Sequence, residues 1–321
     1  MRVHAVGDAE AMRWERADLA APQDDEVLVR HTAIGLNFID VYFRTGVYAA
    51  PQLPFTPGLE AAGVVKRVGA QVTDFAVGDR IAYASPPLGA YATARNFPAA
   101  RAVKVADGID DQVAAAIMLK GMTAHYLLRD AYRVKPGDAI LFHAAAGGVG
   151  LIACQWAKHL GAQVIGTVGS AQKAELARAN GCDHVIDYSR EDFVARVGEI
   201  TAGAGVAAVY DSVGQTTFMH SLDCLRPRGM MVSFGQSSGA VAPFDIGVLN
   251  AKGALFMTRP SLFHYTADRD QLAYRANEVF AAVSSGAIGI RINQTYPLTE
   301  AVAAHQDLEA RRTTGSTVLI P

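Results

Sequence analysis

The segment Ala144-Ala-Ala-Gly-Gly-Val-Gly150 constrains the fold of this chain more than any other. It joins an apolar strand-like run, Ile140-Leu-Phe-His143, to a helical one, Val149 to Leu160, which stops at Gly161. Within it Ala145-x-Gly147-x-x-Gly150 is the Gly-x-Gly-x-x-Gly pattern with alanine in its first position. Such glycines let the backbone pass close to a pyrophosphate and let the helix pack on the strand. The helix N-terminus adds free N–H groups and the positive end of its dipole. Alone, the pattern also fits a plain tight turn between strand and helix, so its context decides.

That context is a run of βα units. Strands are expected at Val164–Val168, His184–Asp187, Val206–Asp211 and Met230–Phe234. Helices are expected at 171–179, 191–200 and 216–225. Repeated βα units imply a parallel sheet with helices on both faces. Before residue 110 the reading is β-rich: Val27, Val29 and His31 alternate with Leu28, Arg30 and Thr32, and glycine or proline recurs about every ten residues. Between 112 and 133 apolar residues recur at helical spacing, which predicts two helices broken near Gly121. After residue 260 a helix is expected at 270–284, a strand near Ile290, a helix at 299–310 and a last strand at 316–319.

The end of the second strand indicates which dinucleotide. An NAD site carries Asp or Glu there for the ribose 2′-hydroxyl. This chain reads Thr167-Val-Gly-Ser170 and then Lys173, a hydroxyl and an ammonium suited to a 2′-phosphate, with Tyr188 after the third strand. Lys173 also fits a solvated helix surface, and the missing carboxylate tips the reading to NADPH.

Composition closes off other classes. With 29 basic and 31 acidic residues the net charge is −2, which counts against a nucleic-acid binder. Half of the 321 residues are apolar, ordinary for a globular chain of about two domains. Three cysteines, Cys154, Cys182 and Cys224, exclude a disulfide framework. No stretch is long and apolar enough to span a membrane, and no signal peptide is read at the start, so a cytoplasmic location is expected. Gly235-Gln-Ser-Ser-Gly239 matches a nucleophile elbow but is not followed by a helix start, and it reads instead as a loop at a strand's carboxyl end. Ser170-x-x-Lys173 matches a penicillin-binding motif whose partner motifs are absent. The nine histidines form no metal motif, and His143 reads as a packing residue. Asn37-Phe-Ile-Asp-Val-Tyr-Phe-Arg-Thr-Gly-Val-Tyr48 is dense in polar and aromatic groups, either a site or an amphipathic turn capped by Asn37.

Several segments resemble the medium-chain dehydrogenase/reductase superfamily, and within it the zinc-free quinone oxidoreductases related to zeta-crystallin. They are Asn37-Phe-Ile-Asp40, Pro57-Gly-Leu-Glu-Ala-Ala-Gly63, Gly78-Asp-Arg80, Leu119-Lys-Gly-Met-Thr123, His143 to Gly150, Tyr210-Asp-Ser-Val-Gly214, Ser233-Phe-Gly235, Thr258-Arg-Pro-Ser261 and Arg311 to Gly315. The resemblance implies an α/β architecture: a GroES-like β-rich catalytic domain at 1–120 and 260–321, and a Rossmann domain with a doubly wound parallel sheet at 121–259. NADPH would lie in the cleft between them. Asn37 and Tyr42 would flank the nicotinamide and substrate, with Thr123 near the nicotinamide and Tyr48 a further stacking or proton-supplying group. Gly147, Gly148 and Val149 would hold the pyrophosphate, beside Ala146. Gly169, Ser170, Lys173 and Tyr188 would hold the 2′-phosphate. Ser212, Phe234, Gly235 and Ser237 would line the cofactor, and Arg311 would approach it from the C-terminal segment. The family also implies a homodimer through a Rossmann edge strand at Lys252–Thr258.

The zinc-dependent branch has Gly-His-Glu where this chain reads Gly58-Leu-Glu60, so no metal is expected. The implied activity is reduction of quinones by NADPH. The alternatives are a reductase of α,β-unsaturated carbonyls on the same fold, and an NADPH-binding sensor or single-stranded RNA binder.

Overall fold

The computed structural model describes residues 1–50 and 52–321. The chain divides into two units. One comprises Met1–Met122, Thr266–Ser284 and Ile290–Pro321; the other comprises Thr123–Tyr265 and Ser285–Gly289.

The first unit is built on a mostly antiparallel sheet. Its strands run in the order Ile292–Pro297, Ser316–Ile320, Glu26–Leu36, Glu60–Val68, Arg80–Ala84 and Val103–Lys104, with Ala94–Pro98 also pairing with Glu26–Leu36. Strands from both ends of the sequence therefore share one sheet. Its alternating apolar positions, among them Val27, Val29, Val65, Ile81, Phe97 and Leu319, meet in one core. The helix Phe38–Thr45 follows the longest strand directly and ends at Gly46, whose φ of +80° lies in the left-handed region.

The second unit is a six-stranded parallel sheet. Naming its strands in chain order, β1 is Ala139–Phe142, β2 Gln163–Val168, β3 His184–Asp187, β4 Val206–Asp211, β5 Leu225–Ser233 and β6 Phe256–Thr258. The spatial order is β3-β2-β1-β4-β5-β6, the doubly wound order whose switch point lies between β1 and β4. Leu141, Ile165, Ile186, Val209 and Met231 form its core with Phe218 and Leu222.

The structure revises the expected elements at two places. Gly121 breaks nothing: one helix runs Asp111–Tyr126. The glycine is there for packing, since a Cβ on it would come within 2.7 Å of Val279 Cγ1 on the helix Arg269–Ser284. The helix expected at 216–225 is only Phe218–Asp223, and Leu225 already belongs to β5. The pairing of β4 with β5 shifts register just after Val206–Leu225, and Arg228 has a φ of +60°. That irregular start hides the strand period in the sequence.

Candidate functional site

The carboxyl ends of the parallel strands carry most of the expected residues. After β1 the chain turns through Ala144, with a φ of +53°, and enters the helix Gly148–His159 at Gly147. Gly147 has no side-chain cap and its own N–H donates to Ala144 O at 2.9 Å, so Ala146, Gly148 and Val149 present the bare helix N-terminus. Gly150 must be glycine: a Cβ there would run into the carbonyl oxygens of Ala144 and Ala145. A hydrogen bond from Ala145 N–H to Thr167 O, at 3.0 Å, ties the loop to β2.

At the end of β2, Gly169 and Tyr188 come together. A Cβ on Gly169 would lie 2.7 Å from the Tyr188 hydroxyl. Ser170 caps the next helix, its Oγ accepting the Lys173 N–H at 3.4 Å, which puts Lys173 on the first turn. Gly169 and Tyr188 thus meet at the end of β2, with Ser170 and Lys173 at the start of the next helix, and residues 167–170 contain no carboxylate.

Loops after β4 and β5 interlock. Ser237 N–H donates to Ser212 O at 3.1 Å, and Phe234 N–H donates to Asp211 O at 2.8 Å. A Cβ on Gly235 would press on Ser212 O at 2.6 Å. Ser212, Phe234, Gly235 and Ser237 are therefore one structure, and residues 235–239 form a loop, as the sequence suggested.

Behind these loops lies a buried polar network that the sequence did not announce. Asp211 Oδ1 accepts the N–H groups of Val213 and Gly214, at 2.7 and 3.0 Å. Its Oδ2 accepts the hydroxyls of Thr217 and Ser221, at 2.8 and 3.1 Å. Ser221 Oγ meets His143 Nε2 at 2.9 Å, and His143 Nδ1 meets Thr167 Oγ1 at 2.8 Å. The ends of β1, β2 and β4 are thereby locked together. Burial holds the His143 pKa below its ordinary value, so the ring is neutral at pH 7. Thr123, the first residue of this unit, is buried on the helix Asp111–Tyr126.

In the first unit, Asn37, Tyr42 and Tyr48 gather at the helix Phe38–Thr45. The rings of Tyr42 and Tyr48 meet edge to face at 5.1 Å, and Tyr48 N–H donates to Tyr42 O at 3.0 Å. Asn37 directly precedes the helix. Its backbone N–H donates to Asp40 Oδ2 at 2.9 Å and its side-chain amide to Glu60 Oε2 at 2.7 Å. Glu60, fully buried, also accepts the Leu119 N–H at 2.7 Å and faces Lys120 Nζ at 3.3 Å. Asp40, equally buried, accepts the Tyr91 hydroxyl at 3.1 Å, and Tyr91 meets His305 Nε2 at 2.9 Å. Burial pushes the Asp40 carboxyl up to about 7, opposed by its hydrogen bonds from Asn37 and Tyr91. Burial, aided by Arg44, pushes His305 down to about 3. Sequence reasoning singled out Asn37 and Asp40 but not their joining to Glu60, Tyr91, Lys120 and His305, which lie far apart in the chain. Arg311 lies on the exposed surface just after the helix Ala301–Glu309, with a φ of +59°.

Comparison with known proteins fits this geometry. Residues 23–136 match the family model described as alcohol dehydrogenase GroES-like domain, and residues 148–268 the one described as zinc-binding dehydrogenase. A quinone oxidoreductase of Pseudomonas aeruginosa is 52% identical over 99% of this chain and 98% of its own length. The crystal structure of Escherichia coli quinone oxidoreductase complexed with NADPH superposes with a TM-score of 0.98 at 50% identity, over 100% of this chain and 99% of that one. The chain belongs to the quinone oxidoreductase family. A 2-haloacrylate reductase of Burkholderia is also similar, at 47% identity over 99% of this chain and 98% of its own length. Within this family the described residues offer no group of three or more His, Cys, Asp or Glu side chains placed for a metal ion. Leu59 is fully buried at the position where the zinc-dependent branch has histidine. No described helix is long and apolar enough to cross a membrane, and all three cysteines are free and buried.

Proposed function

We propose that this chain reduces quinones with NADPH. The observation that carries the reading is the pairing of a bare glycine-turn helix N-terminus with a second-strand end that offers Ser170, Lys173 and Tyr188 and no carboxylate. A 2′-phosphate fits that donor set, and a carboxylate in its place would repel it.

Ala146, Gly148 and Val149 would hold the pyrophosphate through backbone N–H groups, with Gly147 letting it approach the turn closely. Gly169 gives room for Tyr188 and, with Ser170 and Lys173, a seat for the 2′-phosphate. Ser212, Phe234, Gly235 and Ser237 line the cofactor in this reading, with Thr123, Asn37 and Tyr42 toward the nicotinamide and Arg311 from the C-terminal segment. NADPH, when bound, supplies the electrons that reduce the acceptor. The chain's own contribution is to align a planar acceptor and exclude water. A reduced quinone is a phenol-like anion, with an ordinary pKa of about 10, so it takes its proton without help from a Lewis acid. Tyr42 and Tyr48 offer stacking faces, and Tyr48 is the group we assign to proton supply. The first unit serves as the catalytic domain and the second as the cofactor domain.

We further infer a cytoplasmic homodimer. β6 ends the parallel sheet, and its Phe256 and Met257 are 57% and 41% exposed, an edge suited to pairing with a second copy. Light scattering tests this, with a mass of one chain as the contrary result.

The likeness to a 2-haloacrylate reductase supports a second reading, reduction of an activated alkene. The deciding experiment follows NADPH absorbance with ortho- and para-quinones, a linear enone, a 2-haloacrylate and a simple ketone. Turnover with quinones supports the proposal. Preference for the enone or haloacrylate selects the second reading. Tight NADPH binding with no turnover on any acceptor overturns both and points to a sensor or RNA-binding role.

A further inference from the structure

We propose that Glu60 and Lys120 are positioning residues for the reduction: they fix Asn37, and through it the tyrosine-bearing helix Phe38–Thr45. The inference rests on the reading above, in which Asn37 and Tyr42 serve the reaction.

Glu60 is fully buried and Lys120 is 5% exposed. One Glu60 oxygen accepts the Leu119 N–H; the other accepts the Asn37 side-chain amide and faces the Lys120 ammonium. Asp40, also fully buried, holds the Asn37 backbone N–H. Asn37 is therefore gripped at both its backbone and its side chain by buried carboxylates. The Asp40 bond is the reciprocal half of a capping box, an ordinary helix start; the bond of the Asn37 side chain to Glu60, itself faced by Lys120, goes beyond it. The fold does not need the charges, since two well-packed apolar side chains are often as stable as a buried ion pair. What the charges add is a fixed orientation for one amide.

Acceptor counting shows why a carboxylate is required at position 60. Ionised glutamate accepts at both oxygens, whereas glutamine has one acceptor oxygen and one NH2 group. In Glu60→Gln, either Leu119 N–H or the Asn37 amide must face that NH2 group. With the NH2 group toward Asn37 the tie inverts; with it toward Leu119 the bond that anchors residue 60 is lost, although the side chain's shape is kept. Lys120→Met alone breaks the pair from the other side and leaves Glu60 buried and uncompensated.

The test uses the full chain with NADPH and para-benzoquinone as probes. Thermal midpoint, NADPH dissociation constant from its fluorescence, and kcat per folded site are measured together. Lys120→Met is expected to lower the midpoint sharply. Adding Glu60→Gln is expected to restore the midpoint while kcat stays about ten- to a hundredfold down, the scale of a misplaced reactive group. NADPH affinity is expected to change by less than about twofold, because its phosphate contacts lie on other residues. Recovery of kcat along with the midpoint would reduce the pair to a purely structural role and overturn the proposal. Asn37→Ala gives an independent check. Once the amide is gone, adding the double substitution should cost no further kcat, and fully additive losses would contradict the proposal. A wild type that binds NADPH but leaves quinone untouched would instead contradict the functional reading.

Discussion

The carboxyl end of the parallel sheet and the polar cluster at the helix Phe38–Thr45 are built from different materials. The first is made of backbone: a bare helix N-terminus at Gly147, loops joined through carbonyl oxygens of Asp211 and Ser212, and glycines where a Cβ would collide. The second is made of buried polar side chains: Asp40, Glu60 and Lys120 around one asparagine. A backbone site is tuned by what is absent, since any added atom blocks it. A polar cluster is tuned by what is present, since any removed partner leaves another group buried and unpaired.

The sharpest way to break the comparison is Gly150→Val. Overpacking ordinarily costs on the order of 1–3 kcal/mol, and here the new atoms meet two carbonyl oxygens. NADPH binding, read by fluorescence titration, is expected to vanish; retained binding would remove the glycine turn from the cofactor site.

Lys173→Ala comes next, a place where the backbone site uses a charge. A charged hydrogen bond contributes about 1.5–3 kcal/mol, so NADPH should bind roughly ten- to a hundredfold more weakly. NADH should be nearly unchanged. Equal losses for the two cofactors would sink the 2′-phosphate assignment.

Tyr48→Phe sharpens the other side. It keeps the ring packed on Tyr42 and removes the hydroxyl. Quinone turnover should fall, by up to about a hundredfold if the tyrosine acts as an acid, with NADPH affinity unchanged. An unchanged rate would leave Tyr48 only its stacking role.

The smallest effect concerns pH. Asp40 titrates near 7 in the folded chain against an ordinary value of 3.8. Between about pH 4 and pH 7 the folded state therefore holds a proton that the unfolded state has lost, so stability falls as pH rises through that window and levels off above it. Asp40→Asn cannot ionise. Its melting temperature relative to wild type should climb from pH 4 to pH 7, while any packing offset stays constant. Parallel curves would mean that Asp40 is ionised throughout.

The same division explains what could be read in advance. Ala145-x-Gly147-x-x-Gly150 and the empty carboxylate position at 167–170 are local patterns, because a backbone site is written in consecutive residues. The βα alternation was legible for the same reason, with strands His184–Asp187 and Val206–Asp211 falling where the apolar runs place them. Gly121 misled because a glycine that admits Val279 looks, in sequence, like one that ends a helix. The segment 37–48 stood out, but the partners of Asn37 and Asp40 did not, for a related reason. Glu60, Tyr91, Lys120 and His305 come from distant segments, and only the folded sheet brings them together. His143 read as a packing residue; it is buried as expected, and it also bridges Thr167 and Ser221.

In the proposed function the chain transfers electrons from NADPH to a quinone. A single-turnover experiment tests it most directly, mixing the preformed protein–NADPH complex with para-benzoquinone and following the reduced nicotinamide. Rapid loss of absorbance is expected, at a rate that saturates with quinone concentration. Loss no faster than that of NADPH and quinone without protein, from a complex that binds NADPH tightly, would contradict it.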